Sequence, residues 1–386
     1  MIFLFFIYII NQIICISEID LNFKPNMIYK FPKISIKKSQ IYSKILKKNF
    51  TSNDNENLSI NSYSLLTINI KFGSKLNEFP VLFDTGSINL WIARKGCINS
   101  SGKKLKIKTF EPTSSSTINY TGDIFEQEYI TGYCFGKYYI DYINFAEKNI
   151  SMKFGLAEIA DFDIDEASGI LGVSRKSNNN DNNILLFYQL INQKKINDYT
   201  FSLYKQPDKD IFTLYFDGYH KNFTDEKIIG NRGSCDLVDS QNIYKILWAC
   251  NLDLIYFGKA KKNLDDSYIL LDEPVTIFDT GSNFIFLSKK YENSFIEYLS
   301  NEECGFIYQD SGDFIFCINI SNVSDINFII NKKSYLLPKE KIWFPMKVDF
   351  SYIYILNIVF QKENFNLIGT PFFEVYHTAF SQTKKN

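Results

Sequence analysis

Residues 81–87 read VLFDTGS, and the same pattern returns at residues 276–282 as TIFDTGS. Each copy is followed, at nearly the same distance, by two apolar residues and a glycine: residues 170–172 read ILG and residues 367–369 read LIG. Because the same parts recur in the same order, the repeat predicts two similar lobes, each of which contributes one aspartate.

Asp84 and Asp279 end the two apolar runs. Such a run predicts a buried strand, which would place each carboxyl at the mouth of a sheet, where desolvation alters its ionisation. The glycine of each tetrapeptide permits a sharp turn whose backbone N–H groups can bind the carboxylate. The threonine hydroxyls can bond across the interface between lobes, and the serine hydroxyls can bind the outer carboxylate oxygens. The predicted supporting residues are therefore Thr85, Gly86, Ser87, Thr280, Gly281 and Ser282.

Two-fold symmetry between the lobes would bring these two carboxyls, the dyad, to about 3 Å from each other. Like-charge repulsion then prevents both from ionising, so one proton is shared and the pair titrates as a coupled unit. An ionised and a protonated carboxyl together can activate a water as general base and polarise a carbonyl as general acid. The predicted chemistry is amide hydrolysis with no cofactor and no metal.

Length and composition limit the class of protein. At 386 residues the chain exceeds what one hydrophobic core usually organises, which indicates two domains and an extension. A hydrophobic content of 45% with 22% charged residues is that of a globular protein, and 17% aromatic residues favour a β-rich interior. The net charge of −1 gives no broad attraction to phosphate backbones, so nucleic acid is not an expected partner.

The amino-terminal part predicts a secreted protein. Residues 1–17 are nearly all apolar and are followed by Glu18-Ile19-Asp20, as in a signal peptide. An uncleaved anchor is the alternative, because a basic start is missing and Asn11-Gln12 interrupt the run. No later apolar run reaches the length of a membrane span, so no stable span is expected after removal of the signal.

A block of lysines without an acidic residue occupies residues 24–48, and residues 51–61 are rich in Asn, Ser and Asp. The basic block is typical of a solvated tail. The polar stretch is typical of an exposed connector that is open to proteolysis.

Cysteine and histidine usage favours disulfides over a metal. Of the 7 cysteines, Cys15 would leave with the signal peptide, and the even number that remains in an oxidising lumen predicts disulfides. His220 and His377 lie far apart in sequence and neither has a metal-ligand spacing, so no metal site is predicted.

At the two Asp-Thr-Gly-Ser copies and around them, the chain resembles the pepsin-like aspartic proteases, and among them the malaria-parasite plasmepsins. Residues 84–91 (DTGSINLW) look like the family's first catalytic motif, and residues 279–282 look like the second. Residues 128–132 (EYITG) resemble the flap hairpin. The resemblance implies an all-β, mainly antiparallel, bilobal acid protease fold with a catalytic cleft between two similar lobes. It also implies an aspartic endopeptidase that acts on protein or peptide substrates.

The resemblance assigns roles outside the dyad. Tyr129 would be the flap tyrosine that closes over substrate, and Trp91 the tryptophan whose indole N–H binds it. Thr131 and Gly132 complete the flap and substrate-binding set. The basic segment resembles a zymogen activation segment, so the chain's own propeptide would inhibit it by placing a lysine at the dyad. Cys304–Cys317 looks like the disulfide of the carboxy-terminal lobe.

The chain departs from the family at its other cysteines. The family's cysteine pair after the first motif is represented only by Cys97, which leaves Cys97, Cys134, Cys235 and Cys250 to pair differently. Four cysteines allow three connectivities. By proximity we favour Cys235–Cys250 and Cys97–Cys134, and the second bridge would tether the base of the flap.

These inferences divide the chain into a signal peptide (1–17), a basic propeptide (18–60), an amino-terminal catalytic lobe (61–205) and a carboxy-terminal catalytic lobe (206–386). We expect a monomer made in the secretory pathway, either secreted or kept in the lumen of a secretory or vacuolar organelle. Two alternatives remain: a catalytically inactive member of the family that binds peptides or acts as a surface ligand, and a lumenal β-sandwich adhesion protein.

Overall fold

The computed structural model describes most of the chain from residue 55 onward. The described residues are 55–60, 65–129, 132–161, 167–175, 182–206, 211–218, 233–238, 246–258, 268–299, 304–307, 313–348 and 351–382. Strands dominate these residues, helices are short, and the strands form two sheets. The predicted all-β, bilobal fold is confirmed.

Each sheet contains 11 strands within the described residues. The first sheet is built from β1 (Asn55–Ile60), β2 (Leu66–Phe72), β3 (Asn77–Asp84), β4 (Leu90–Ile98), β5 (Asn119–Tyr129), β6 (Gly132–Phe145), β7 (Lys148–Ala160), β8 (Gly169–Gly172), β9 (Thr200–Lys205) and β10 (Ile211–Phe216). The second is built from β11 (Ala249–Phe257), β12 (Tyr268–Leu270), β13 (Val275–Phe278), β14 (Ile285–Ser288), β15 (Cys304–Ile307), β16 (Asp313–Cys317), β17 (Ile326–Ile330), β18 (Lys333–Leu337), β19 (Trp343–Val348), β20 (Ser351–Gln361) and β21 (Asn366–Ile368). The last strand, β22 (Thr378–Ser381), returns to the first sheet and pairs with β9.

The helices lie between the strands and pack on the sheets. Within the described residues the α-helices are α1 (Leu186–Asn192), α2 (Glu292–Leu299), α3 (Lys339–Ile342) and α4 (Thr370–Phe373). α1 buries Leu186, Phe187 and Leu190 in the core beside the first sheet. Within the described residues, none of the helices has the length and apolar character that crossing a membrane requires.

Apolar and polar side chains alternate along the strands, so the apolar ones face the core and the polar ones face solvent. β2 reads LTINIKF and buries its alternate residues Leu66, Ile68, Ile70 and Phe72. A strand places successive side chains on opposite faces, so this pattern gives one apolar face. Phe72 packs against Phe79 and Phe154, with ring centroids 5.8 and 5.2 Å away. The high phenylalanine content of the chain therefore fills the interior.

The sequence repeat folds into the same arrangement twice. β3 lies parallel to β8, where Asp84 is opposite Gly172. β13 lies parallel to β21, where Phe278 is opposite Ile368. β8 is also antiparallel to β4, as β21 is to β14. In each half, the apolar-apolar-glycine motif therefore forms the strand beside the aspartate strand.

Gly172 and Gly369 pack closely against the backbone of a neighbouring turn. A Cβ at Gly172 would lie 2.5 Å from the carbonyl carbon of Ile88, and a Cβ at Gly369 would lie 2.2 Å from the carbonyl oxygen of Phe284. Backbone atoms at such distances would have to shift, because a packed interior leaves no room for an added carbon. Glycine therefore lets the turn after each aspartate approach its neighbouring strand.

β1 occupies an interior position in the first sheet. It pairs with β10 along residues 55–59 and with β2 at Ser59 and Ile60. β1 thus lies inside the range 18–60 that we assigned to the propeptide. β22, which lies in the range 206–386 assigned to the carboxy-terminal lobe, is also part of the first sheet. The boundaries at 60 and 205 stay predictions. The signal peptide and the lysine block lie outside the described residues.

Two of the three expected disulfides are present. Cys235 is bonded to Cys250 and Cys304 to Cys317. The predicted Cys97–Cys134 bridge is not formed, and both residues are buried free thiols. Cys97 lies on β4 and Cys134 on β6, and β7 runs between these strands, so the two cysteines are not cross-strand neighbours. Burial raises the pKa of the Cys97 thiol to about 12, which keeps it protonated at neutral pH.

A chain that starts at residue 61 will be less stable than one that starts at residue 55. Removing β1 leaves both β10 and β2 without their shared partner, and each backbone hydrogen bond contributes about 1 kcal/mol net. The free energy of unfolding should therefore fall by at least roughly 3 kcal/mol. Chemical denaturation of the two chains measures the difference, and equal midpoints would contradict a structural role of β1.

Candidate active site

The two predicted catalytic aspartates lie side by side at the ends of β3 and β13. Asp84 and Asp279 are 6% and 9% exposed. A Cβ on Gly86 would lie 2.6 Å from Oδ1 of Asp279, and a Cβ on Gly281 would lie 2.5 Å from Oδ1 of Asp84. Each glycine therefore packs against the carboxyl of the other half. The two carboxyls therefore lie close enough to repel each other when both are charged.

Each carboxyl also accepts hydrogen bonds from its own turn. The N–H of Gly86 donates to Oδ1 of Asp84 at 2.8 Å, and the hydroxyl of Ser87 donates to Oδ2 of the same carboxylate. In the second half the N–H of Gly281 donates to Oδ1 of Asp279 at 2.8 Å, and Ser282 lies near that carboxyl. These bonds fix the plane of each carboxyl towards its partner.

Thr85 and Thr280 join the two halves. The hydroxyl of Thr85 donates to the carbonyl of Phe278 at 2.8 Å and accepts the N–H of Thr280 at 2.9 Å. The hydroxyl of Thr280 donates to the carbonyl of Phe83 at 2.7 Å and accepts the N–H of Thr85 at 3.1 Å. Both threonines are fully buried, so water does not compete for these bonds. We call the four bonds the threonine clasp.

The surroundings of the dyad determine where its proton resides. Burial, together with the facing Asp84 carboxyl, raises the pKa of Asp279 well above its usual range. Hydrogen bonds from Gly281 and Ser282 act in the opposite direction, but their effect is smaller. Two carboxyls this close cannot both ionise, so they hold one proton between them, and the raised pKa of Asp279 favours its protonated form. The site therefore offers one acid and one base.

The β5–β6 hairpin reaches the dyad through Tyr129. The indole N–H of Trp91 donates to the Tyr129 oxygen at 2.8 Å, and Tyr129 lies near enough to Ser87 and Asp84 for both to affect its pKa. Burial raises the pKa of Tyr129 well above its usual range, so the phenol stays protonated. Gly132 is opposite Tyr129 at the end of the hairpin ladder, and Thr131 lies outside the described residues.

A second contact of the hairpin was not predicted. Asn89 donates from its side chain to Oε1 of Gln127 at 2.5 Å and accepts the hydroxyl of Tyr138 at 2.9 Å. Asn89 is only 4% exposed. A polar side chain beside the apolar residues of the INLW stretch was a signal, because a buried amide requires partners. The sequence did not indicate which partners those would be.

Metal ligands do not gather elsewhere in the described part of the chain. Within it, no group of three or more His, Cys, Asp or Glu side chains is placed to hold a metal ion. The carboxyl oxygens of the dyad bind N–H and O–H groups of their own turns. The chemistry that these residues supply is acid–base chemistry.

Replacing either clasp threonine by valine will destabilise the fold. Thr85→Val or Thr280→Val leaves one buried N–H and one buried carbonyl without a partner, so the free energy of unfolding should fall by about 2–4 kcal/mol. Thr276→Val is the matched control, because this buried hydroxyl on β13 donates locally to the carbonyl of Pro274 at 3.0 Å. Its expected cost is about 1 kcal/mol. Equal losses in all three variants, measured by chemical denaturation, would contradict the role of the clasp.

Comparisons with known proteins agree with this geometry. A family model described as eukaryotic aspartyl protease matches residues 66–386. Plasmepsin I of Plasmodium falciparum (isolate 3D7) is 26% identical over 237 residues, which are 58% of this chain and 46% of that protein. Vacuolar protease A of Arthroderma otae is 26% identical over 238 residues (59% and 55%), and pepsin A of Gallus gallus is 30% identical over 166 residues (41% and 44%). The chain spans about half the length of the curated relatives that it matches. Since the family model covers most of the sequence, the chain belongs to the eukaryotic aspartyl protease family.

Proposed function

We propose that the chain is an aspartic endopeptidase that hydrolyses peptide bonds of protein substrates. The observation that carries the proposal is the contact between two buried carboxyls, one of which holds a proton because its pKa is raised. The similarity to a vacuolar protease supports the same activity. No residue of the duplicated tetrapeptides is missing from the arrangement.

The unequal protonation of the dyad gives the mechanism. Asp84, in its ionised form, accepts hydrogen bonds from Gly86 and Ser87, and Asp279 carries the proton. A water bound between them transfers a proton to Asp84 as its oxygen attacks the carbonyl carbon of the peptide bond, while Asp279 protonates the carbonyl oxygen. The tetrahedral intermediate then collapses: the C–N bond breaks, Asp84 gives its proton to the departing amine, and a hydroxyl of the intermediate returns its proton to Asp279, which restores the dyad.

The hairpin completes the site by enclosing the substrate. Trp91 binds Tyr129 near the dyad, and Asn89 binds Gln127 two residues before it, so the hairpin is held at two points. An extended peptide would lie between the hairpin and the dyad. Closure over the peptide excludes bulk water and strengthens the electrostatic interactions at the reacting carbonyl.

The proposal includes synthesis as a secreted zymogen. The lysine block at residues 24–48 would neutralise the dyad through opposite charge, as expected for an inhibitory propeptide. Because β1 pairs on both sides, a cut before Asn55 would remove the basic block and leave the first sheet whole. The relationship to a vacuolar protease supports a route through the secretory pathway. The active form would be a monomer.

Removing either dyad carboxyl will abolish hydrolysis. Asp84→Asn and Asp279→Asn keep the shape of the side chain, and each should lower kcat at acidic pH by at least about 10³-fold, because the general base or the general acid is lost. Asp272→Asn is the control: its carboxylate is exposed, forms an ion pair with Lys290 at 2.8 Å, and should leave turnover within about twofold. The measurement is hydrolysis of a peptide library by the acid-activated chain.

Unchanged turnover in either dyad variant would contradict the mechanism. A folded wild-type protein that binds peptides and cleaves none would support the catalytically inactive alternative instead. Thermal unfolding of all variants establishes that each is folded.

Stability should decrease as the pH rises, because the folded state binds the Asp279 proton more tightly than the unfolded state does. The decrease begins near the ordinary aspartate pKa of about 3.9 and continues to the raised pKa, with a slope of up to about 1.4 kcal/mol per pH unit. Glu292, whose pKa burial raises to about 7, adds a similar slope that all variants share. Asp279→Asn removes the part of this pH dependence that comes from the Asp279 carboxyl, so the variant should be more stable than the wild type at neutral pH.

Thermal unfolding between pH 4 and pH 8 measures this difference. Asp272→Asn serves as the control, since hydrogen bonding to Lys290 lowers the pKa of Asp272 to about 2 and its removal should leave the downward slope in place. Identical curves for Asp279→Asn and the wild type would show that Asp279 does not hold the proton.

A further inference from the structure

We propose that Trp248 is a positioning residue for the dyad, an inference that rests on the proposed function. The chain has 3 tryptophans, and their indole N–H groups differ in what they bind. Trp91 binds Tyr129, Trp248 donates to the carbonyl of Val173 at 2.8 Å, and the N–H of Trp343 is buried without a partner in the described structure. The indole bond of Trp248 leads to Asp84, and its backbone carbonyl is bonded to the strand that precedes Asp279.

Hydrogen bonds run from Trp248 in two directions and meet at the dyad. Val173, which accepts the indole N–H, donates its own N–H to the backbone carbonyl of Asp84 at 2.8 Å. In the other direction, the carbonyl of Trp248 accepts the N–H of Phe278 at 2.8 Å. The carbonyl of Phe278 in turn accepts the hydroxyl of Thr85 at 2.8 Å. One direction ends at Asp84 and the other at Thr85, which is the next residue in the chain. The two directions therefore form a closed ring, which we call the Trp248 circuit.

The Trp248 circuit is inaccessible to water. Trp248 and Val173 are each 1% exposed, and Thr85 is 0% exposed. A buried carbonyl that loses its donor cannot recover a bond from solvent, so it either stays unpaired or moves. Any movement of Val173 is passed directly to the backbone of Asp84, because the two residues are hydrogen-bonded.

Aromatic contacts fix the direction of the indole N–H. The Trp248 ring meets Phe201 and Phe380 edge to face, with centroids 5.7 and 5.3 Å away, and Tyr199 lies at 6.3 Å. Phe201 and Phe380 lie on β9 and β22, which are neighbours in the first sheet. The hydroxyl of Tyr199 donates to the carbonyl of Ser174 at 2.6 Å. The indole is therefore held by the first sheet and aimed at the segment beside Asp84.

The second half uses a different contact at the corresponding position. Thr370 follows the second apolar-apolar-glycine motif as Val173 follows the first. The N–H of Thr370 donates to the carbonyl of Ser282 at 2.8 Å, whereas Val173 donates to the carbonyl of Asp84. The Trp248 circuit thus supports the backbone of the residue that acts as the base in the proposed mechanism.

This support should affect both rate and protonation. A displacement of about 1 Å at a reacting group can lower a rate by roughly 100-fold. The apparent pKa values of a coupled carboxyl pair depend on the separation of the two groups. Loosening the circuit should therefore slow the chemical step and shift the pH profile, while substrate binding changes little.

Trp248→Phe tests the proposal, because it removes the indole N–H and keeps an aromatic ring against Phe201 and Phe380. In the acid-activated full chain we expect kcat on a peptide substrate to fall about tenfold with KM within about twofold. The apparent pKa values of the kcat profile should shift by about half a unit. Rates are expressed per active site, counted by titration with a tight-binding statine-type inhibitor.

Trp343→Phe is the matched control. It also removes a buried indole N–H, on β19 of the second sheet, but that N–H has no partner within the described structure. We expect its normalised kcat and pH profile to equal those of the wild type. If Trp248→Phe behaves like Trp343→Phe, the proposal is overturned. A lower kcat with an unshifted pH profile would also overturn it, because a merely structural defect gives that result.

Two further measurements keep the proposal testable. If Trp248→Phe does not fold, a variant with benzothienylalanine at position 248 replaces it. This side chain has the size of the indole ring and lacks the N–H, so we expect the same changes in kcat and in the pH profile. If the wild type hydrolyses no peptide, the proposed function fails separately. The positioning role is then measured by thermal unfolding at several pH values. Asp279→Asn removes part of the pH dependence of stability, and Trp248→Phe should change that same part, whereas Trp343→Phe should leave it unchanged.

Discussion

The threonine clasp is the interaction on which the rest of the structure depends. Each hydroxyl, on Thr85 and on Thr280, bonds a carbonyl and an N–H of the opposite half. Each Asp-Thr-Gly-Ser turn is therefore held by the other half and not only by its own strand. Because backbone atoms and buried hydroxyls set the geometry, the spacing of the carboxyls does not depend on flexible side chains. A site that holds two acidic groups close to each other requires such rigid support.

The charge state of the dyad follows from this spacing. Gly86 and Gly281 have no Cβ, and each leaves room for the carboxyl of the opposite half. The carboxyls meet in a space that solvent hardly reaches, so ionising both is unfavourable and the pKa of Asp279 is raised. The packing that joins the halves thus also creates an acid beside a base, without any further ionisable group.

The sequence predicted the features that depend on local pattern. The duplicated apolar run before each aspartate and the glycines at Gly172 and Gly369 were sufficient to predict two like halves that meet at a dyad. The partners of Asn89 could not be predicted, because its bonds run to a hairpin far away in sequence. The pairing of Cys97 with Cys134 failed for a related reason. Proximity along the chain does not reveal that β7 lies between their strands.

Identical tetrapeptides do not make identical aspartates. Ser87 donates to Asp84, and Tyr129 of the hairpin, which Trp91 binds, lies on the same side of the site. Trp248 reaches the same side through the backbone. Asp84 thus has neighbours that Asp279 lacks, although both carboxyls are buried and both accept a glycine N–H at 2.8 Å. Two carboxyls in equal surroundings would share the proton evenly. Unequal surroundings bias the position of the proton towards one carboxyl.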